Sequence, residues 1–221
     1  VDPIAFEEFE EKDDDHGHSD GDGTHDDEHG DDEHGDDEHG EFDPHFWWDP
    51  MRTVTAIELI AATLAELRPN TDWAARAAAY NAELMAVHDG MVALFATIPA
   101  TQRRIITNHD SLGYLADRYG FEIIGTVIPG ATTLAESNPR AFARLIDLVV
   151  AEGLRVVFAE NTDSTVLAEQ LASQAVGRGD VEVRVVRLYT DALGGPGSGA
   201  ETYLGMLRTS AELITEALTA G

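Results

Sequence analysis

The second half of the chain predicts an α/β fold: a four-stranded parallel sheet flanked by helices, with a long helix before it. Three observations carry this. Four short β-branched runs follow residue 103: "RRIITNH", "FEIIGTVI", "RVVFAEN" and "VEVRVVRLY". Four amphipathic stretches alternate with them: "DSLGYLADRYG", "NPRAFARLIDLVVAEG", "STVLAEQLASQAVG" and "ETYLGMLRTSAELITEALTA". Successive β/α units of this kind build a parallel sheet with helices on both faces. Ahead of them, "WAARAAAYNAELMAVHDGMVALFATIP" is rich in Ala, Leu and Met and has no proline before Pro99. That reads as one helix of roughly 25 residues, far above the globular mean, and a lone helix this long often bridges two lobes.

The 221 residues can bury a substantial core. There is no cysteine, so disulfides and thiolate metal sites are both excluded. The net charge of −28 is unevenly spread. Residues 1–43 hold 21 of the 42 acids against Lys12 alone, a charge of −20, which leaves −8 for the remainder. Acidity concentrated in this way favours cations and argues against nucleic acid as a partner. No apolar run is long enough to span a bilayer. The opening "VDPIAFEEFEEKDDD" has no secretory pattern and does not begin with Met, so further sequence upstream is expected.

Residues 10–41 are of low complexity, and "DDEHG" recurs at 26–30, 31–35 and 36–40. With nothing apolar to offset the entropy of ordering, this tract is expected to be disordered without a ligand. Its six histidines are His16, His18, His25, His29, His34 and His39. Together with the carboxylates they suit a mobile, multivalent metal trap. An inert solvated linker is the alternative.

"DPHFWWDP" at 43–50 then opens the packed part of the chain. Its aromatics are expected to be core and to fix His45. Val54, Ile57, Ile60, Ala61, Leu64 and Leu67 follow at helical spacing up to Pro69, and Asp72 caps the long helix.

In parallel sheets the functional residues lie beyond the carboxyl ends of the strands. That rule selects His109 after "RRIIT", Glu160 within "VVFAEN" and Asp191 after "RLYT". Two imidazoles, His45 and His109, with the Asp191 carboxylate form a donor set suited to Zn²⁺. Each residue also has a plainer reading. His109 stands beside Asp110 and Ser111, either of which could cap a helix. Asp191 could be an ordinary loop residue. Glu160 is either a ligand or a buried hydrogen-bonding partner of one. His88 has no second histidine one turn away and reads as a surface or packing residue. "GGPGSG" at 194–199 lacks the lysine of a phosphate-binding loop and reads as a flexible connection.

"DPHFWWDP", "TNHDSLGYLADRYGF" and "LYTDALG", in that order, resemble the zinc- and manganese-binding receptors of bacterial ABC importers. "VFAEN" and the closing "ETYLGMLRTSAELITEAL" fit as well, and the acidic His-rich insertion resembles the zinc-type members. The resemblance implies two α/β lobes joined by a rigid helix, with metal held in the cleft. It assigns 1–9 and 42–71 to the remnant and end of an N-terminal lobe, 72–100 to the linking helix and 101–221 to the C-terminal lobe. It implies His45, His109 and Asp191 as metal ligands. Zinc is expected in preference to Mn²⁺, because manganese-type members tend to carry Glu where His109 stands. It also implies a monomeric periplasmic or membrane-associated receptor, not an enzyme, that delivers metal to an ABC permease membrane subunit, with a metallochaperone as a further partner. A further ligand expected from the N-terminal lobe would precede residue 1, leaving water for the fourth position. The face of 49–68 that would meet that lobe is expected to be exposed. The competing readings are a stand-alone zinc buffer and a zinc hydrolase with Glu160 as its acid or base.

Overall fold

A computed structural model describes residues 42–128, 139–162, 164–179 and 182–220. The assignments for 1–9 and 10–41, including all six histidines of the proposed trap, lie outside the described residues. A 3-10 turn at Phe46–Trp48 leads into α1 (Pro50–Leu67) and α2 (Trp73–Phe95). Then follow β1 (Arg104–Thr107), α3 (Gly113–Tyr119), β2 (Glu122–Thr126), α4 (Pro139–Glu152), β3 (Val156–Glu160), α5 (Val166–Gly179), β4 (Arg184–Leu188) and α6 (Tyr203–Thr219).

The expected four-stranded parallel sheet is present, in the order β2-β1-β3-β4. Side chains alternate across its faces. Ile105, Val156 and Phe158 enter a core with α2, α3 and α6, whereas Ile106, Val157 and Ala159 enter a second core with α4 and α5. Every residue of β3 is buried, as befits an interior strand covered on both sides.

Aspartate caps open the first two helices. Asp49 accepts a hydrogen bond from the Met51 N–H at 2.9 Å, with Pro50 as the first helical residue. Asp72 accepts one from Ala75 N–H at 2.9 Å, as expected of a cap. Gly120 ends α3 at φ +70°, a left-handed turn that costs a glycine little.

In α2, Leu84, Val87, Met91 and Phe95 form one buried stripe. The C-terminal half of this helix is therefore part of the lobe's core, and its N-terminal half carries α1. Burying each of these side chains contributes about 1.5–3 kcal/mol. The apolar stripe read in α1 is only partly covered. Val54 and Ile57 pack against the core, but Ile60 and Leu67, together with Leu59, stay exposed. Among the described residues nothing lies over that face.

The strand order creates the site. α3, which leaves β1, lies against one face of the sheet, and α5, which leaves β3, lies against the other. The loops beyond β1 and β3 diverge, opening a crevice at the carboxyl ends of the strands. His109 stands two residues past β1, Glu160 closes β3, and Asp191 follows β4.

Candidate metal centre

His109 sits on a rigid extension of β1. Thr107 Oγ1 donates to the His109 carbonyl at 2.7 Å. Val127 and Ile128 donate backbone N–H groups to Thr107 and Asn108 at 3.0 and 2.7 Å, prolonging the ladder past the strand. Asn108 and His109 are both buried. The His109 Nδ1 edge meets the buried Glu160 carboxylate at Oε1, and Ser111 Oγ donates to the same oxygen at 3.3 Å. Ser111 therefore serves Glu160 and caps nothing; α3 starts without a side-chain cap.

His45 reaches the crevice from outside the sheet. Its Nδ1 lies 2.6 Å from Asp43 Oδ1. Trp47, edge-on to the imidazole at 5.2 Å, donates Nε1–H to the Thr190 carbonyl at 3.1 Å. That bond ties the His45 segment to the residue before Asp191. Tyr203 on α6 donates to the Trp47 carbonyl at 2.6 Å. Trp48 is fully buried, as expected of the aromatic run, but Phe46 is 40% exposed and takes no part in the core.

The three expected ligands come together. The two Nε2 atoms of His45 and His109 are 3.3 Å apart. His109 Nε2 is 3.5 Å from Asp191 Oδ2, and His45 Nε2 is 3.8 Å from Asp191 Oδ1. Ligand atoms around a tetrahedral zinc, with bonds of about 2.0–2.2 Å, stand roughly 3.3–3.6 Å apart. The His45–His109 edge therefore already has the length of one edge of such a tetrahedron; the two imidazoles face different oxygens of Asp191, and one ligand atom from each of the three residues lies within 4.8 Å of the others. Among the described residues, His45, His109 and Asp191 form the cluster able to hold a metal ion, and Glu160 is outside it.

The electrostatics suit a divalent cation. Burial opposes protonation of His109, but the bond to Glu160 and the charges of Glu160, Asp191 and Asp110 outweigh it and raise its pKa above the ordinary imidazole value. Burial, reinforced by Glu160, raises Asp191, while His109 and His45 pull it back. Without a cation, His109 and Asp191 both hold a proton more readily than they would in free solution. A divalent ion can replace these protons.

His88 is a packing residue, one of the two readings its sequence allowed: its Nδ1 lies 2.9 Å from Tyr119 Oη, away from the cluster. One expectation is corrected here: "GGPGSG" is not a loose connection. Gly197 N–H donates to Glu201 Oε1 at 2.5 Å, and Gly194 N–H donates to the Ala200 carbonyl at 2.8 Å. Its own backbone N–H and those of Gly197, Ser198 and Gly199 hold the Glu201 carboxyl below the usual range. This loop is a nest of N–H groups already filled by the chain's own anion.

Sequence reasoning missed Asp43, Ser111 and Asp49. Asp49 is buried, caps α1 and takes two bonds from Arg118 at 2.9 and 2.6 Å, pinning the motif to α3. The Asp-Pro step was a usable signal for Asp43, since Asp at such a turn bonds the backbone two residues on.

An α/β lobe that converges two imidazoles and a carboxylate at its topological switch point has the design of a metal-binding receptor lobe. The chain belongs to the family described as zinc-uptake complex component A, periplasmic (ZnuA), which matches residues 4–217. The zinc-binding protein TroA of Treponema pallidum is 28% identical over 180 residues, 80% of this chain and 58% of that protein. The manganese-binding lipoprotein MntA of Bacillus subtilis is 30% identical over 179 residues, again 80% of this chain and 58% of the relative. The solved periplasmic zinc-binding protein TroA from Treponema pallidum superposes with a TM-score of 0.74 at 27% identity, over 81% of this chain and 65% of that one. The chain thus spans 58% of the length of these curated relatives.

Proposed function

We propose that this chain is the metal-holding part of a receptor that captures Zn²⁺ outside the cytoplasm and hands it to an ABC-type permease in the membrane. The observation that carries the reading is the Nε2–Nε2–carboxylate triangle of His45, His109 and Asp191. Two imidazoles to one carboxylate favour zinc over manganese, which prefers oxygen donors. The relatives' names include both metals, so affinity for each is the deciding measurement. Competition titrations should give tighter binding of Zn²⁺ than of Mn²⁺, and His109→Ala should abolish the tightest site. Equal affinity for both metals would overturn the zinc assignment. An unchanged tight site in His109→Ala would overturn the receptor reading.

The His-rich tract fits a trap that feeds this site. His39 lies six residues before His45, so a captured ion stays at high effective concentration. Deleting residues 12–40 should slow loading at low zinc and leave the final affinity nearly unchanged. Unchanged stopped-flow loading would reject the trap. If the tract were the whole function, as in a stand-alone buffer, His45→Ala with His109→Ala would change little. The hydrolase reading has less support, because Glu160 meets the Nδ1 edge of His109, remote from the edge that faces the cluster.

A further inference from the structure

Asp43 stands outside the ligand cluster yet touches His45 twice. It is buried, and its Oδ1 accepts the His45 backbone N–H at 2.8 Å and lies 2.6 Å from the ring Nδ1. Its backbone is held separately, by the Tyr114 hydroxyl donating to the Asp43 carbonyl at 3.0 Å. Its other oxygen occupies the space that a side chain at Gly113 would need: a Cβ there would stand 2.9 Å from Asp43 Oδ2. Gly113 is the first residue of α3 and belongs to a different part of the chain. The helix is therefore open at the point where this carboxylate enters.

The consequence is chemical. A neutral imidazole carries its proton on one nitrogen and offers a lone pair on the other. With the proton held on Nδ1 by Asp43, the lone pair is on Nε2, the atom that faces His109 and Asp191. The opposite tautomer would aim an N–H at the metal position. We propose that Asp43 is a positioning residue that locks His45 in the Nδ1–H tautomer, and that Gly113 is kept without a side chain to admit it. The effect on zinc affinity rests on the receptor reading above, whereas the tautomer itself does not.

The test uses ¹⁵N-histidine NMR on the metal-free protein at about pH 8.5, where unperturbed imidazole is neutral, together with zinc competition titrations. Wild type should show His45 protonated at Nδ1. Asp43→Ala should shift it toward the Nε2–H form and weaken zinc binding about 10–100-fold, the usual cost of losing an outer partner. Gly113→Ala should do the same to a smaller degree. Alanine is the better helix former, so a loss there reports the collision with Asp43. It also supplies the answer should Asp43→Ala fail to fold. His45 keeping the Nδ1–H form in the folded variants, or affinity falling with the tautomer unchanged, overturns the proposal. Failure of the receptor reading would look different: wild type itself would lack tight zinc binding, whatever the tautomer.

Discussion

His45 and His109, sixty-four residues apart, place their Nε2 atoms 3.3 Å from each other. That is long for a hydrogen bond and right for two ligands of one ion. The rings meet edge to face, with centroids 5.2 Å apart, and each is backed at Nδ1 by a buried carboxylate: Asp43 behind His45 and Glu160 behind His109. Both imidazoles are thus oriented by acids that lie outside the His45–His109–Asp191 cluster.

His45→Ala, His109→Ala and Asp191→Ala each remove one corner of the triangle. Each should weaken zinc by more than the about 10–100-fold expected for an outer partner. Isothermal or dye-competition titration would show this. A smaller loss at Asp191 than at Glu160 would reverse the assignment of ligand and backing acid.

Glu160→Gln keeps the shape and an oxygen for Ser111 but removes the charge behind His109. Zinc affinity should fall about 10–100-fold while the fold is retained. Loss of ordered circular dichroism would instead assign Glu160 to folding.

The raised pKa of His109 fixes the sign of two pH effects. The folded metal-free protein holds this proton more tightly than the unfolded chain does. That stabilisation is complete below the unfolded value of about 6.5 and is lost as pH rises through the folded one. Zinc must displace the same proton, so its affinity should rise with pH over that window. Melting curves with and without zinc should therefore separate further from about pH 6 to pH 8. A constant separation would contradict the assignment.

Asp49→Ala removes a helix cap and both bonds from Arg118. It should cost about 2–3 kcal/mol, of which the cap supplies about 1. Arg118→Ala should cost less, about 1 kcal/mol, because that side chain is 37% exposed and its charge is screened. Urea unfolding of the two variants checks the order.

The sequence by itself determined the parallel α/β lobe, because β-branched runs and amphipathic stretches bury their apolar sides in only a few ways. It also determined which residues face the crevice, because strand ends in such a sheet share one edge. His109, Asp191 and Glu160 were legible for that reason. Only the tertiary structure separated their positions, with Glu160 at the Nδ1 edge of His109 and Asp191 at its Nε2 edge. Glu160 and Asp191 are both acids just beyond strands, and nothing local distinguishes a backing partner from a ligand. The choice depends on which edge of the His109 ring each meets, and packing between β1, β3 and β4 sets that edge. Asp43 was hidden for a similar reason: its second oxygen acquires meaning only beside Gly113, seventy positions along the chain.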